Sequence, residues 1–316
     1  MIKTLILATL AAHASAREFN PKNLVNDLKE IERMNSNSTW EAGVNEFFEG
    51  WTHEQAKMLL GTELVEDLLT PEMKYDHIKD EDIPASFDAR TQWPHAIHPI
   101  RNQQQCGSCW AFSASEVLSD RFTIASGGKV DVVLSPEDMV SCDKTDMGCQ
   151  GGQLPNAWNY LVNTGIVPDK CFPYSAGGGV APACISSCKD GESWTKYKAK
   201  DSFHLTTVAD MQKAIMTDGP IQVAFSVYKS FMSYKSGVYT KHWYEIIPEG
   251  GHAVKAVGWG TEGGVDYWLI ANSWDVTWGL QGYFKIKRGV NECGIEANAY
   301  AGHAAVPTVW GIHSSE

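Results

Sequence analysis

Two cysteines within residues 103–110 (Gln-Gln-Gln-Cys-Gly-Ser-Cys-Trp) are the most reactive candidates in this sequence. Cys106 and Cys109 have the spacing of a redox dithiol of the thioredoxin type. Such a dithiol should follow a strand that opens a βαβ unit, but the preceding residues contain prolines and no clear strand pattern. In the second interpretation Cys109 is a nucleophile at a helix N-terminus, where the helix dipole favours the thiolate over the thiol.

A cysteine nucleophile needs an imidazole base and a third group that orients the imidazole. His252 follows the pair Gly250-Gly251, leads into an apolar run and lies 143 residues after Cys109. The glycines would let backbone and substrate approach closely. Asn272 lies 163 residues after Cys109, within Ala-Asn-Ser-Trp. An isolated histidine is more often structural, but together the three residues favour nucleophilic catalysis.

The elements that must position these residues divide the chain into a helical and a β-rich part. Helical spacing with caps or stops predicts three helices: Cys109–Ala125 before Gly127-Gly128, one that starts at Ser135-Pro136, and Leu154–Asn163 before Gly165. The later half contains four β-rich runs between turns with glycine: 220–228, 252–259, 265–271 and 282–287. We expect an α+β fold with a cleft where the two lobes meet.

The segment Cys-Gly-Ser-Cys-Trp is the local signature of the papain and cathepsin proteases. With His252 and Asn272 at matching places, the whole chain resembles the papain family of cysteine proteases. The resemblance implies a papain-like two-lobe fold, with a helical N-terminal lobe, a β-barrel-like C-terminal lobe and the active-site cleft between them. The resemblance implies that Cys109 is the thiolate nucleophile, that His252 is the general acid/base and that Asn272 orients the imidazole. It implies no metal and no organic cofactor.

Further roles follow from the same resemblance. Gln103 would donate to the oxyanion hole together with the backbone N–H of Cys109. Trp274 would shield the Asn272–His252 hydrogen bond at the substrate cleft, with ordinary core packing as the alternative. A protein that binds peptides on this scaffold without catalysis is the rival function. Such proteins usually lose the cysteine or the histidine, and this sequence keeps both.

Eight cysteines alone allow about 105 full pairings, and a catalytic Cys109 leaves an odd number for disulfides. The family resemblance implies three bonds and leaves Cys293 unpaired: Cys106–Cys149, Cys142–Cys184 and Cys171–Cys188. The alternative is a metal site built from Cys142, Cys149, Cys184 and Cys188. That site would require reduced thiols in an oxidising compartment.

The chain begins with a pattern typical of export. Residues 1–16 combine one lysine, a short apolar stretch and small residues before Arg17, which predicts a signal peptide, with a buried N-terminal helix as the alternative. We therefore expect the secretory pathway, ending in a lysosome, a digestive vacuole or the extracellular space. No uncharged apolar run reaches the length of a membrane anchor. Asn37-Ser38-Thr39 is a glycosylation sequon.

Residues 17–82, here the acidic segment, hold 7 Lys+Arg and 16 Asp+Glu of a chain of 316 residues with net charge -12. That net charge argues against nucleic-acid binding, which requires a basic face. The segment contains no cysteine, and a helix is predicted near 23–34. The layout suggests a removable prosegment that ends at the exposed seam Asp80–Asp82, followed by a protease domain over 83–316. An N-terminal domain that is retained for life is the alternative.

Several stretches resemble the cathepsin B branch of the family: 84–90, 291–296 and 40–43. The resemblance implies that the prosegment lies through the cleft in a non-productive direction. Acid should loosen it, because its carboxylates lose charge as the pH approaches about 4. The implied partners are protein and peptide substrates and the chain's own prosegment. Cystatin-type inhibitors are possible partners, and the protein is expected to be a monomer.

Two departures from cathepsin B concern specificity. Only twelve residues, 172–183, separate Cys171 from Cys184, and they include no histidine. The occluding loop is therefore expected to be absent, which favours an endopeptidase. Asn298 stands where cathepsin B has a glutamate at the base of the pocket for the second residue before the cut. This pocket should prefer apolar side chains; Leu154 is a candidate for its wall, and Gly151-Gly152 would offer backbone to an extended substrate.

Overall fold

The computed structural model describes residues 23–36 and 38–307. The predicted signal peptide and Asn37 of the sequon lie outside these ranges. Within them, no helix combines the length and the apolar composition needed to cross a membrane. The helices in this part of the chain are α1 (Leu28–Asn35), α2 (His53–Lys57), α3 (Ala89–Gln92), α4 (Cys109–Ala125), α5 (Pro136–Cys142), α6 (Leu154–Asn163) and α7 (Val208–Asp218).

The helical lobe is built around α4, whose residues from Cys109 to Thr123 are all buried. The predicted boundaries of α4 and α6 are confirmed. The predicted start of α5 is also confirmed, since the Ser135 hydroxyl accepts the backbone N–H of Asp138 at 3.1 Å. Apolar residues of α4, α5 and α6 share one core. A helix buried on all sides cannot shift without opening that core, so α4 is a rigid support for its first residue, Cys109.

The described strands are β1 (Trp40–Ala42), β2 (Phe87–Asp88), β3 (Phe203–Leu205), β4 (Ile221–Val227), β5 (Tyr234–Tyr239), β6 (Gly250–Glu262), β7 (Val265–Ala271), β8 (Tyr283–Lys287) and β9 (Ala299–Ala301). They form one sheet in the order β1-β5-β8-β7-β6-β4-β9-β3, with β2 paired to β6. The four predicted β-rich runs correspond to β4, β6, β7 and β8. The α+β architecture is therefore confirmed.

Strand β6 is longer than the predicted run because it continues into a tight hairpin with β7. Glu262 pairs with Val265, and the two residues between them, Gly263 and Gly264, have φ of +57° and +79°. A two-residue turn with both φ values positive matches the twist of the flanking strands, and glycine adopts it without a steric penalty. This hairpin brings the start of β6 and the end of β7 to the same edge of the β lobe.

The acidic segment packs on the β lobe. Its helix α1 begins at Leu28, so the predicted start at residue 23 is wrong. The carboxylate of Asp27 accepts the N–H groups of Lys29 and Glu30 and caps the helix there. Farther along, the buried Asn45 side chain donates to the carbonyls of Met232 and Tyr234 at 3.2 and 3.1 Å. Many aromatic and aliphatic residues of the segment, Trp40 and Phe48 among them, share the core of the β lobe.

Candidate active site

Cys109 is the first residue of α4 and is fully buried. Burial opposes ionisation of its thiol. The nearby charge of His252, with hydrogen bonds from His252 and Thr62, outweighs that effect and lowers the pKa of Cys109 from 9.0 to about 7. A thiol whose pKa falls in this way, at a helix N-terminus beside an imidazole, has the properties of a nucleophile.

His252 lies near the start of β6, and Asn272 follows the last residue of β7. The hairpin register therefore brings the two side chains together, and His252 Nε2 donates to Asn272 Oδ1 at 2.7 Å. Because a carbonyl oxygen can only accept, Nε2 carries the proton in the neutral ring and Nδ1 is left as the basic nitrogen. The backbone N–H of Ser273 also donates to Asn272 Oδ1, at 2.8 Å, which orients the amide.

Trp274 is fully buried and lies against the imidazole, with ring centroids of Trp274 and His252 4.7 Å apart. Its indole therefore excludes water from the His252–Asn272 pair. Phe48 of the acidic segment packs edge-to-face on Trp274 at 5.5 Å. Trp274 offers no free surface to a peptide while the segment lies on it.

Gln103 is also buried, and its amide is held at both ends. Its Oε1 accepts the hydroxyl of Ser273 at 2.8 Å, and its backbone N–H donates to the Ser273 carbonyl at 2.9 Å. The Nε2 group donates to the carbonyls of Cys106 and Leu59 at 2.8 and 2.9 Å. A carbonyl of the acidic segment, that of Leu59, thus accepts a hydrogen bond from the Gln103 amide. Ser273 is a part of this arrangement that we did not foresee, although it lies directly after Asn272.

The structure contains the disulfide bonds Cys106–Cys149, Cys142–Cys184 and Cys171–Cys188. Cys109 and Cys293 remain free thiols. The bond from Cys106 to Cys149 excludes a redox dithiol between Cys106 and Cys109. A metal site made of Cys142, Cys149, Cys184 and Cys188 is excluded as well, because disulfide sulfurs are not thiolate ligands.

The acidic segment runs directly over the nucleophile. The hydroxyl of Thr62 lies 3.1 Å from Cys109 Sγ. Thr62 N donates to Gly251 O at 3.1 Å, and Glu63 N donates to Gly152 O at 3.0 Å. Gly152 N donates back to Gly61 O at 2.9 Å, and this pairing is parallel. Residues 61–63 therefore bind the backbone of the cleft as a short added strand.

The predicted pocket residue Leu154 is the first residue of α6, two positions after Gly152. Leu154 is buried and belongs to the same apolar cluster as Ala224 and Ala253. Ala224 N donates to Asn298 O at 2.9 Å, and the Asn298 amide donates to Gly294 O at 3.0 Å. Asn298 therefore lies beside β4, whose Ala224 belongs to the same apolar cluster as Leu154. Ala224 and Ala253 face each other across β4 and β6, and the sequence offers no signal for Ala224 beyond its place in a β-rich run.

Comparison with known proteins gives consistent matches over most of the chain. The model of the family described as "Papain family cysteine protease" matches residues 83–303. "Cathepsin B-like CP2" of Giardia intestinalis is 40% identical over 306 residues, which cover 95% of this chain and 99% of the relative. "Cathepsin B-like cysteine proteinase 4" of Caenorhabditis elegans is 42% identical over 296 residues, which cover 82% of this chain and 86% of the relative.

Solved structures of precursor proteins match as well. The structure titled "proCathepsin B S9 from Trypanosoma congolense" has a TM-score of 0.82 at 33% identity and covers 89% of this chain and 99% of its own. That of "digestive procathepsin L2 proteinase from Tenebrio molitor larval midgut" has a TM-score of 0.75 at 32% identity, covering 87% of this chain and 89% of its own. Both similarities extend beyond the residues that the family model matches.

Proposed function

The chain belongs to the papain family of cysteine proteases and is cathepsin B-like, and from that premise we propose that it is an endopeptidase made as a secreted or lysosomal zymogen. The observation that carries the catalytic part is the arrangement of Cys109, His252 and Asn272. Cys109 has a lowered pKa beside His252, and His252 Nε2 is held by Asn272 at 2.7 Å. The three residues have the roles of nucleophile, acid/base and orienting group.

The proposed reaction has two halves. The Cys109 thiolate attacks the carbonyl carbon of a peptide, and His252 donates a proton to the leaving amine, which produces a thioester. Water then attacks the thioester while His252 accepts its proton, and the thiolate is restored. Throughout both halves Asn272 keeps Nε2 protonated, so that Nδ1 is the nitrogen that exchanges protons with the reacting groups.

The oxyanion of each tetrahedral intermediate would be stabilised by Gln103 Nε2 and the backbone N–H of Cys109. The Leu59 carbonyl that Gln103 now binds supports this role, because it shows that a peptide carbonyl can reach this donor. The amide is preorganised by Ser273, so the donor need not reorient during the reaction. Nothing in the reaction requires a metal or an organic cofactor.

The short loop at residues 172–183 supports cleavage within chains rather than at a free C-terminus. A carboxypeptidase needs a cation to capture the terminal carboxylate, and this loop contains no lysine, arginine or histidine. The loop is also tied to the helical lobe, since the carboxylate of Glu137 accepts the N–H groups of Ser175 and Ala176. We therefore propose a cleft that accepts a polypeptide across its whole length.

We propose that residues 17–82 are the inhibitory prosegment and that residues 83–316 are the protease domain. The segment passes from Trp274, through Thr62 beside the nucleophile, toward Gln153, whose amide donates to Glu63 at 2.7 Å. If the pocket at Leu154 and Asn298 takes the second residue before the cut, a substrate must run the opposite way. The prosegment then fills the cleft with its peptide bonds reversed, which accounts for its resistance to cleavage there.

Acid is the proposed trigger for release. Ion pairs connect the prosegment to the protease domain: Lys57 lies 2.6 Å from Glu249, and Asp80 lies 2.6 Å from Lys213. Acid weakens carboxylate–ammonium pairs in general, so these contacts are the ones that a low pH would loosen. A route through the secretory pathway, which residues 1–16 predict, would deliver the zymogen to such an acidic compartment.

For the second residue before the cut, here called P2, we propose a preference for apolar side chains. Leu154, Ala224 and Ala253 belong to one buried apolar cluster, which would provide the wall of this pocket, and Asn298 has no charge with which to pair an arginine. A charged P2 side chain would lose its hydration at this wall without gaining an ion pair.

The test compares the wild type with Cys109→Ala near pH 5 in a thiol reductant. The substrate is an internally quenched peptide with leucine at P2 and an amide at its C-terminus. We expect cleavage by the wild type alone. Cleavage confined to peptides with a free carboxyl terminus would contradict the endopeptidase proposal. No cleavage of any peptide after verified loss of the prosegment would favour the binding scaffold.

A further inference from the structure

The prosegment carries two leucines whose side chains are largely exposed, at a surface depression that they share with Pro155 and Asn156. Leu68 and Leu69 are 83% and 93% exposed, although most other apolar residues of the segment pack on the β lobe. They lie in a bend with no helix or strand pairing. The carboxylate of Asp67 accepts the N–H groups of Leu69 and Thr70 at 2.9 and 3.1 Å, and this turn points both leucines outward.

Leucines this exposed bury little surface against the protease domain, and they match the specificity argued above. We propose that the Leu69–Thr70 peptide bond is the site at which a second molecule of this protease makes the first cut in the prosegment. Leu68 would occupy the apolar P2 wall beside Leu154 and Asn298. This inference rests on the proposed function, because it uses that pocket.

The sequence around the turn selects one bond. A cut after Leu68 would place the charged Asp67 at P2. A cut after Thr70 would make Pro71 the leaving residue, whose tertiary amide has no N–H and a fixed φ. Only the cut after Leu69 combines an apolar P2 residue with an ordinary leaving amine.

Two other exposed leucines of the prosegment are held in forms that a protease cannot bind. Leu28 is 68% exposed but is the first residue of α1. Leu64 lies in the cleft, where its Cγ would be 3.4 Å from a Cβ built on Gly251. A substrate must adopt an extended strand, so a residue in a helix or one already bound in reverse is protected.

The seam at the end of the prosegment does not suit the enzyme's own pocket. A cut before Ile83 would place Glu81 at P2 and Asp82 next to the bond. Ile83 itself is partly buried against the core of the β lobe. The first cut would therefore fall in the turn at residues 67–70, here called the leucine turn. Residues 70–82 would be removed later.

The first cut must come from another molecule. The cleft of each zymogen is filled by Gly61, Thr62 and Glu63, which are held by backbone hydrogen bonds to Gly152 and Gly251. Residue 69 of the same chain can enter that cleft only if this strand leaves. A molecule that has already lost its strand has an open cleft, whereas the leucine turn of an intact zymogen is exposed. The reaction therefore accelerates as active enzyme accumulates.

The chemistry is ordinary hydrolysis. Cys109 of the attacking molecule takes the acyl group of Leu69, and Thr70 leaves as an amine after accepting a proton from His252. Water then releases Leu69 as a carboxylic acid and restores the thiolate. The new N-terminus stays anchored, because Tyr75 Oη donates to Asp218 at 2.6 Å and Tyr75 N donates to Asp210 at 2.9 Å. A discrete intermediate that begins at Thr70 should accumulate.

The experiment uses the full-length Cys109→Ala chain as the substrate and a trace of acid-activated wild type as the enzyme, at pH 5 with reductant. Products are followed in time by intact mass and N-terminal sequencing. We expect an early fragment that begins at Thr70. Leu68→Glu in the substrate chain should slow its appearance at least about tenfold, since a charge replaces the P2 side chain. Leu28→Glu changes another exposed leucine of the same segment. It should leave the rate at which the Thr70 fragment forms within about twofold of that of the chain without this change.

The quenched peptide with leucine at P2 is cleaved in parallel by the same enzyme preparation. If that peptide is cleaved but the first fragment begins at Ile83 or elsewhere, or if Leu68→Glu has no effect, the inference is overturned and the proposed function survives. If the peptide is not cleaved either, both are overturned. If the Thr70 fragment forms at a rate that does not depend on the added wild type, cleavage by a second molecule is wrong.

Discussion

Substitution of Gly61 by alanine should open the cleft of the zymogen. A Cβ on Gly61 would lie 1.8 Å from the carbonyl oxygen and 2.3 Å from the carbonyl carbon of Gly107. Both atoms are backbone, and Gly107 directly follows the disulfide-bonded Cys106, so neither can move aside cheaply. The strand of the prosegment must move away instead.

The size of the effect follows from the hydrogen bonds at this place. Thr62 N to Gly251 O, Glu63 N to Gly152 O and Gly152 N to Gly61 O are the bonds that the shift would break. At about 1 kcal/mol net for each bond, the closed state loses about 3 kcal/mol. Each 1.4 kcal/mol is a factor of ten, so the open population should rise about 150-fold.

The assay is alkylation of Cys109 by iodoacetamide in the full-length chain, in pulses short enough that intact mass shows no processing. Cys109 is fully buried beneath Thr62, so its labelling requires opening and reports the open population. Gly61→Ala should label about 150-fold faster than the wild type. Gly43→Ala is the matched control, because a Cβ there meets only the flexible Lys235 side chain at 3.2 Å. Equal labelling of Gly61→Ala and the wild type would refute the reasoning.

Three further predictions concern the protease domain. Gln103→Ala should lower kcat on the quenched peptide about 10²–10³-fold with little change in KM, since one oxyanion donor is lost; an unchanged kcat would remove Gln103 from the mechanism. Asn298→Glu should raise kcat/KM for a peptide with arginine at P2 at least about tenfold relative to leucine, through a new ion pair; an unchanged ratio would mean that Asn298 does not contact P2. Burial, with a contribution from Asp143, raises the pKa of Asp146 to about 6. Because this pKa is above the unfolded value, the stability that Asp146 confers is present at pH 3–4 and is lost as the pH rises toward 6. In thermal melts, the Tm of Asp146→Asn minus that of the wild type should therefore increase between pH 4 and pH 7. A difference that stays constant over this range would contradict the prediction.

Much of the molecule is encoded locally. The Ser135-Pro136 cap, the helical spacing after Cys109 and the Leu154–Asn163 pattern each predicted a helix at its observed place, because capping and periodicity act within a few residues. The catalytic candidates are identifiable for the same reason: Cys109 stands in a short signature, and His252 and Asn272 adjoin the strands that position them. The start of α1 was missed because the Asp27 cap outweighs the apolar residues before it.

The tertiary structure alone decided the contacts that are made by backbone groups and by residues far apart in the chain. The Leu59 carbonyl at Gln103, the Thr62 hydroxyl at Cys109 and the parallel strand at Gly152 have no signature, because every residue carries the same N–H and C=O groups. The pairing of Ala224 with Ala253 has no signature either, since alanine is unremarkable until β4 and β6 are paired. The sequence by itself determined which groups can react. The packing of the prosegment across both lobes determined that, in this chain, they are covered.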